Sequence, residues 1–417
     1  MKKKTIGALI MLLAASWPLA AQQLDYESYI QRVMEHNAGY RAAQMELPIA
    51  QSELKQARMF NDPTVSFSYG NNSDWDIAMG QSAELEVSKS FSLGKRRSRM
   101  NVAKENIKVQ EAGLQDYERN LRADATVAYL SALLARETAL ISRDYADNMR
   151  TLYHSDSLRH SRGDLSEIDV TQSRLESTVA QQECIAAQAA YRNALARLDW
   201  MMGDPTRGTQ EVGGTLTRQH TLVDLQQLLQ TCAAQRPDII QAHHQAEAAE
   251  RELRLTRIER IPDIDLSVGM SHSTRVRNEE APAPPFNGYT IGVSLPLPVS
   301  TLNRGEVQAQ QYRVQQASSE PEAARHTAQV EVMEAYNDYV SAMTRADAYS
   351  TEIIEQARQV LDGKMYAYQR GETSLLEVLN AQHLYLDIQQ EYANSLYECM
   401  KCWVELNRSI GSISYNL

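Results

Sequence analysis

Residues 368–381 read Tyr-Gln-Arg-Gly-Glu-Thr-Ser-Leu-Leu-Glu-Val-Leu-Asn-Ala, and this stretch predicts a reversal between two helices. The helix-forming residues before it end at Gly371, and glycine adopts the left-handed conformation that closes a helix without steric cost. Ser374 is a candidate N-cap for the helix that follows. The same order occurs 208 residues earlier, where Gly163 is followed by Ser166. The sequence therefore contains two copies of one helical turn.

This repeat extends over almost the whole chain at a slowly increasing offset. Residues 24–70 resemble residues 223–269 at an offset of 199, with Pro63 opposite Pro262. The offset has grown to 208 at the carboxyl-terminal end, where Gly203 is opposite Gly411. A gradual drift of this kind indicates one duplication followed by small insertions. We therefore predict a first structural repeat over residues 22–221 and a second over residues 222–417.

Each repeat contains two segments in which apolar and polar residues alternate. The apolar members in the first repeat are Val65, Phe67, Tyr69, Leu85 and Val87. A period of two indicates strands with one apolar and one polar face. We predict strands at about 63–70, 84–92, 262–270 and 289–297, with the polar segments 71–82 and 272–288 as exposed turns between them. The acidic residues expected on the polar face are Glu84, Glu86, Asp263 and Asp265.

Helical sequence accounts for most of the remainder. A first helix is predicted at about 26–60, and its counterpart at 223–260 is broken at Arg236-Pro237, because the residue before a proline disfavours the helical conformation. After the strands, residues 95–162 and 303–370 each predict a helix of 68 residues. Gly113 and Pro321 are expected to bend or break these helices. Returning helices over 166–202 and 374–410 complete two hairpins, at about 95–202 and 303–410.

The amino terminus predicts secretion. Three lysines, an apolar segment over residues 6–15 and small residues at 20 and 21 indicate a signal peptide over residues 1–21, and no cysteine follows for lipid attachment. Its removal changes the formal net charge from −11 to about −14. So acidic a chain lacks the basic surface that nucleic acid binding requires. The mature sequence has no run of 18 apolar residues, so no transmembrane helix is predicted.

The reactive side chains form no recognisable catalytic or metal-binding motif. Cys399 and Cys402 have CxxC spacing but occur inside a helix, whereas a redox pair normally opens one, so buried or incidental thiols are the simpler interpretation. His243 and His244 are adjacent and point to different faces of a helix, which places them poorly for sharing an ion. We therefore predict no catalytic residues, no metal site and no cofactor.

The strands predict an assembly. Four strands cannot close a membrane barrel, because an open sheet leaves unpaired edges that hydrocarbon does not tolerate. Three copies would supply 12 strands, with apolar residues outward and polar residues toward a wet lumen. The long helices are too polar for a bilayer and would extend into the periplasm. The alternatives are a soluble periplasmic coiled-coil scaffold, which has no use for four matched strands, and an enzyme, for which no motif is found.

The ordered set of elements resembles the TolC-like outer-membrane efflux family. The shared features are the duplicated order of elements, the proline at the first strand of each repeat, the basic turn Gly94-Lys95-Arg96-Arg97 and the segment 368–381. The resemblance covers essentially all of the mature chain. It implies a fold that is mainly α with a small β part, namely a homotrimer with a 12-stranded β-barrel in outer-membrane lipid of a Gram-negative cell and a 12-helix periplasmic tunnel.

The resemblance also implies a gate at the helical tips. Acidic residues just past the second reversal line the constriction in this family, and they map onto Glu377 and Asn380, the second of which is an amide here. Asp169 holds the equivalent position in the first hairpin, where capping-box spacing from Ser166 is an alternative explanation for it. Tyr368 resembles a residue of the closing network.

Two protein partners follow from the same resemblance. A periplasmic adaptor would grip the tips near residues 155–170 and 362–380, and an inner-membrane transporter would supply the energy for a passive exit channel. The tip residues expected to contact the adaptor are Arg162, Gly163, Asp164, Arg370, Gly371 and Glu372. The exported cargo of such a channel is a drug, a metal ion or a protein, depending on the transporter.

Overall fold

A computed structural model describes residues 23–71, 75, 77–209, 211–218, 224–297, 303–349, 351–413 and 415. The predicted signal peptide, residues 1–21, lies outside the described residues. The elements in chain order are α1 (Tyr26–His36), α2 (Ala38–Ala57), β1 (Thr64–Gly70), β2 (Ser82–Phe91), α3 (Lys95–Ser161), α4 (Glu167–Met201), α5 (Leu225–Gln235), α6 (Pro237–Glu259), β3 (Ile264–Ser273), β4 (Phe286–Ser294), α7 (Arg304–Ala348), α8 (Thr351–Gln369) and α9 (Leu375–Ser409). The predicted fold class, mainly helical with a small β part, is confirmed.

Two compact units are built from both sequence repeats. One contains the residues up to Ala42, Tyr117–Arg236 and the residues from Ala328, and the other contains Ala43–Asp116 and Pro237–Thr327. The second unit holds all four strands, and the first holds both glycine reversals. None of the described helices is both long and apolar enough to cross a membrane.

The first helix of each repeat is interrupted at the equivalent position. The predicted break at Arg236-Pro237 is confirmed, since α5 ends at Gln235 and α6 begins at Pro237. The prediction of one helix over residues 26–60 was wrong, because α1 ends before Asn37. The Asn37 side chain explains the break. Its Oδ1 accepts a hydrogen bond from the backbone N–H of Tyr40 at 3.0 Å, which caps the start of α2.

The long helices continue through the residues that were expected to bend or break them. Helix α3 contains Gly113 and helix α7 contains Pro321, so neither residue breaks its helix, and a bend at these residues stays a prediction. A Cβ at Gly113 would lie 2.8 Å from Nε2 of Gln241 on α6, so that side chain would have to shift. Helix α7 ends at Ala348 and helix α8 begins at Thr351, so the prediction of one helix over residues 303–370 was wrong in this respect. Residue 350, between them, lies outside the described residues.

The four strands form one antiparallel sheet in the order β1-β2-β3-β4. The predicted strands are confirmed with shifted ends, since β2 begins two residues earlier and β3 extends three residues further than expected. The register aligns the alternation across all four strands. One row on the apolar face joins Val65, Val87, Val268 and Ile291, and the next joins Phe67, Leu85, Met270 and Tyr289.

The opposite face of the sheet is polar and built mostly from small residues. Its central row joins Ser66, Glu86, Gly269 and Thr290, and the next joins Ser68, Glu84, Ser271 and Gly288. The apolar face is the more exposed of the two: Ile291 is 84% exposed and Val268 61%, whereas Glu84 and Glu86 are partly covered. The sheet is therefore amphipathic, with its apolar face uncovered.

In the first unit, Tyr129 joins the amino-terminal segment to the connection between the repeats through hydrogen bonds. The hydroxyl of Tyr129 lies 2.8 Å from the carbonyl oxygens of both Leu24 and Gly213. Leu24 also forms a parallel bridge with Val212. Among the described residues of this connection, 203–209 and 211–218, this is the one isolated bridge.

Candidate functional site

The two hairpin reversals end their first helix in the same way. The backbone N–H of the glycine donates to the carbonyl three residues before it, at 2.8 Å for Gly163 and 3.0 Å for Gly371. The N–H of the next residue donates to the carbonyl five residues before it, at 3.0 and 2.9 Å respectively. Both glycines have positive φ, 82° and 76°. This Schellman geometry requires a left-handed residue, which explains glycine at both tips.

Glu377, a predicted gate residue, makes its contacts within its own hairpin. Its carboxylate pairs with the ammonium of Lys364 on α8 and accepts a hydrogen bond from the Thr373 hydroxyl at 2.8 Å. The Lys364 hydrogen bond, with that from Thr373, holds the pKa of the Glu377 carboxyl below its ordinary value. Asn380, one turn further along α9, is exposed. Both side chains lie on the surface of the single chain.

Asp169 is engaged at the start of α4. Oγ of Ser166 accepts a hydrogen bond from the backbone N–H of Asp169 at 3.1 Å, and its hydroxyl donates to Oδ2 of the same residue at 2.7 Å. The predicted N-cap is therefore confirmed, and the gating role of Asp169 stays a prediction. Ser374 precedes α9 in the same position but makes no side-chain capping hydrogen bond.

Tyr368 is the predicted gate residue that the structure buries. Its hydroxyl donates a hydrogen bond to Oδ1 of Asp156 at 2.9 Å, which joins α8 to α3. Asp156 has 0% exposure, and among the described residues its Oδ2 has no hydrogen-bond partner. Burial raises the pKa of the Asp156 carboxyl above its ordinary value, although the hydrogen bond from Tyr368 acts to lower it. Asp156 is a residue that the sequence analysis missed.

The surroundings of this pair combine one cation with an apolar cluster. The Arg159 guanidinium lies 4.9 Å from the centroid of the Tyr368 ring and donates to the Tyr368 carbonyl oxygen at 3.3 Å. The cluster contains Tyr145, Met149, Leu152, Ala180, Tyr368, Leu375, Val378, Leu379 and Leu386. It draws residues from α3, α4, α8 and α9, so it packs the first helical hairpin against the second just behind the two reversals.

The residues at the two reversals themselves are exposed to solvent. All six residues predicted to contact an adaptor are exposed: Arg162, Gly163, Asp164, Arg370, Gly371 and Glu372. The Arg370 guanidinium covers the ring of Tyr366 at 4.4 Å. The tips therefore present basic and acidic groups side by side around the two glycine turns.

The polar face of the sheet carries three of the four predicted acidic residues. Glu84, Glu86 and Asp265 lie within the strands. The prediction for Asp263 was wrong in detail, because Asp263 precedes β3 and its Oδ1 pairs with Nζ of the buried Lys95 at 2.8 Å. Lys95 begins α3, so this ion pair holds the start of the long helix beside the sheet.

One further cluster brings together potential metal ligands. Glu105, His244 and Glu247 place ligand atoms within 4.8 Å of one another. The buried Glu105 carboxylate also contacts Nζ of Lys108 at 3.2 Å and Nη2 of Arg251 at 3.0 Å. Burial acts to raise the pKa of Glu105, but its contacts with Glu247 and the neighbouring cations hold it below its ordinary value. The two cations balance the two carboxylates, so the cluster is already neutral without a metal.

The CxxC pair lies within α9, as the sequence predicts. Cys399 is buried and Cys402 is partly buried. Burial raises the pKa of the Cys402 thiol to about 11. A reactive thiol needs the opposite shift, so this environment favours an unreactive side chain.

Known proteins resemble this chain over nearly its whole length. Residues 29–204 and 228–412 match the family described as outer membrane efflux protein, with one matched segment in each sequence repeat. The cobalt-zinc-cadmium resistance protein CzcC of Cupriavidus metallidurans is 22% identical over 94% of this chain and 91% of that protein. The outer membrane protein TolC of Escherichia coli is 20% identical over 99% of this chain and 87% of that protein.

The fold is also that of solved outer-membrane proteins. The crystal structure of VceC of Vibrio cholerae superimposes with a TM-score of 0.73 at 18% identity, covering 93% of this chain and 96% of that one. Members of the matched family are passive channels of tripartite efflux systems and not enzymes, so the predictions of an efflux channel in the outer membrane, with a periplasmic extension, are confirmed. On the match of both repeats, this chain belongs to the outer membrane efflux protein family.

Proposed function

We propose that three copies of this chain close one pore through the outer membrane and one tunnel below it, which the helical tips gate. The observation that carries this proposal is the uncovered apolar face on a sheet of only four strands. A single chain leaves that face in contact with water, and each buried apolar side chain contributes about 1.5–3 kcal/mol when it leaves water. Outer-membrane lipid is the environment that covers it.

The sheet edges support closure by several copies. β1 and β4 are the edge strands, and each has one side without a partner strand in the sheet. Unpaired backbone groups are not tolerated in hydrocarbon, so each edge needs another strand. Pairing β1 of one copy with β4 of the next satisfies both edges, and three copies then give a closed barrel of 12 strands. The polar rows around Glu86 and Glu84 would line the lumen.

The gate in this proposal is the contact between the two hairpins behind their tips. The Tyr368–Asp156 hydrogen bond and the apolar cluster around it hold α8 against α3. The Lys364–Glu377 pair then holds the tip of the second hairpin together. Opening requires the second hairpin to move away from the first, which breaks the Tyr368–Asp156 contact. Asn380 and Asp169 would lie beside the constriction without closing it.

The exposed tips are the surface that a periplasmic adaptor would recognise. Arg162, Asp164, Arg370 and Glu372 offer paired charges around turns whose backbone is fixed by glycine. An adaptor that engages both tips would transmit the movement of an inner-membrane transporter to the gate. The channel itself would contribute a water-filled path and no energy.

The test is the assembly state and conductance of the purified mature chain. We expect extraction to require detergent, a particle mass of three chains, and discrete conductance steps in a planar lipid bilayer. A monomer that stays in solution without detergent and gives no conductance would overturn the proposal and favour the soluble periplasmic scaffold. A trimer that conducts but shows no closed state would refute the gate alone.

A further inference from the structure

We propose that Asp156 makes the gate proton-dependent, so that acid pH locks the hairpins together and neutral pH loosens them. This inference rests on the gate described above and adds a regulator to it. It starts from geometry: Asp156 is completely buried between helices of the two hairpins, and one of its carboxyl oxygens has no hydrogen-bond partner among the described residues.

A buried carboxyl in this position is better suited to its neutral form. The ionised group carries two oxygens that each accept hydrogen bonds. Here Oδ1 accepts one from Tyr368, and Oδ2 has no hydrogen-bond partner among the described residues. Burying an ionised oxygen without a partner costs free energy, and a protonated carboxyl loses less hydration free energy on burial.

The charged and polar groups facing Asp156 come from three helices. Arg159, on the same helix α3, favours the ionised form, but its guanidinium is directed to the ring and carbonyl of Tyr368. From α4, Asp169 disfavours a second negative charge. The Ser173 hydroxyl, also on α4, lies 3.2 Å from the Val170 carbonyl oxygen and, through its contact with the carboxyl, acts to lower the pKa of Asp156.

The sign of the pH effect follows from the direction of the shift. Burial raises the pKa of Asp156 in the closed tip above the ordinary value of 3.8, whereas an opened tip exposes the carboxyl to water and restores that value. The closed tip therefore binds the proton more tightly. The stability that protonated Asp156 adds to the closed tip, relative to the open tip, is fully present below the ordinary pKa. It is lost as pH rises through the raised pKa. Within that window, the ratio of closed to open tips falls by up to about tenfold per pH unit for each copy.

Bilayer recordings of the purified trimer between pH 4 and pH 8 test this. For the unmodified channel, we expect the open probability to rise with pH. The variant Asp156→Asn keeps an acceptor for the Tyr368 hydroxyl but cannot titrate, so it should remain mostly closed and lose the pH dependence. The control Asp147→Asn removes an exposed carboxylate on the same helix, outside the proposed gate, and it should retain the pH dependence.

A second variant covers the case in which Asp156→Asn fails to assemble. Tyr368→Phe removes the hydrogen bond that acts to lower the pKa of Asp156, so the pH range over which open probability rises should extend to higher pH if Asp156 is the titrating group. The tip should also open more readily at every pH, because a contact between the hairpins is lost. An unchanged pH profile in both Asp156→Asn and Tyr368→Phe would overturn the inference, as would loss of the profile in Asp147→Asn. Absence of any conductance at every pH would instead refute the channel proposal.

Discussion

Replacing Ile291 with lysine tests which face of the sheet meets lipid. Ile291 is 84% exposed and lies in the row of Val65, Val87 and Val268. A second apolar row borders it on one side, and a row of Lys89, Leu266 and Val293 borders it on the other, so this row lies in the middle of the face, with one basic side chain in the row beside it. A lysine placed here would therefore lie near the centre of the bilayer.

The expected penalty is large because every copy carries the substitution. A lysine on the lipid face near the midplane of a barrel destabilises it by about 2–4 kcal/mol, so three copies give about 6–12 kcal/mol per trimer. Since about 1.4 kcal/mol corresponds to a factor of ten in an equilibrium constant, the trimer should lose at least four powers of ten in stability.

The adjacent residue supplies a matched control. Thr290 lies on the same strand and on the polar face, where it pairs with Gly269. Thr290→Lys introduces the same side chain toward the proposed lumen, and we expect a stable trimer with altered ion selectivity. The assay is the temperature at which the detergent-solubilised trimer dissociates, followed by unheated gel electrophoresis. Equal dissociation temperatures for Ile291→Lys and Thr290→Lys would refute the orientation of the sheet.

Three further outcomes are expected. The polar face carries carboxylates and no basic residue in its paired rows. Changing the three acids to amides (Glu84→Gln, Glu86→Gln, Asp265→Asn) should therefore lower the preference of the pore for cations over anions, measured as a reversal potential in a salt gradient. An unchanged potential would place these residues outside the pore. Replacing Glu377 and Asp169 together by alanine should raise the closed-state current in a bilayer, because Lys364 loses its partner and the Ser166 hydroxyl at the start of α4 loses its acceptor. An unaltered current would argue against a place for Glu377 in the gate. Gly371→Ala should destabilise the tip by about 1–2 kcal/mol, because φ is 76° there. Gly363→Ala within α8 should be neutral or stabilising. If calorimetry ranked the stabilities of the two variants the other way, the turn geometry would be contradicted.

The elements with a strong local pattern could be predicted from the sequence. The alternation around Val65 and Ile291 predicted both the strands and their faces, because a period of two is visible within a few residues. The reversals at Gly163 and Gly371 were predicted because the Schellman geometry demands a left-handed residue at one position. Such features depend on neighbours in the chain.

The features that could not be predicted depend on contacts between distant segments. Asp156 and Tyr368 are 212 residues apart, and nothing near Asp156 distinguishes it from a surface acid. The continuity of α3 through Gly113 could not be predicted either, because tertiary packing overrides the low helix propensity of a single glycine. Asn37 interrupts the first helix through its own side chain, but helix propensity alone does not indicate this break.

The duplication explains why both tips have the same backbone conformation. Divergence after the duplication explains why their side chains differ. At the offset of 208, Asp156 corresponds to Lys364, and Tyr368 corresponds to His160. The first hairpin therefore provides the buried acid and the second provides the tyrosine that binds it, together with the lysine that pairs with Glu377. Because the two hairpins hold different halves of one hydrogen bond, breaking it requires one hairpin to leave the other. Because Asp156 and Tyr368 occupy non-equivalent positions of the repeat, two identical hairpins could form this bond twice, and the divergence to Lys364 and His160 leaves it in one direction only.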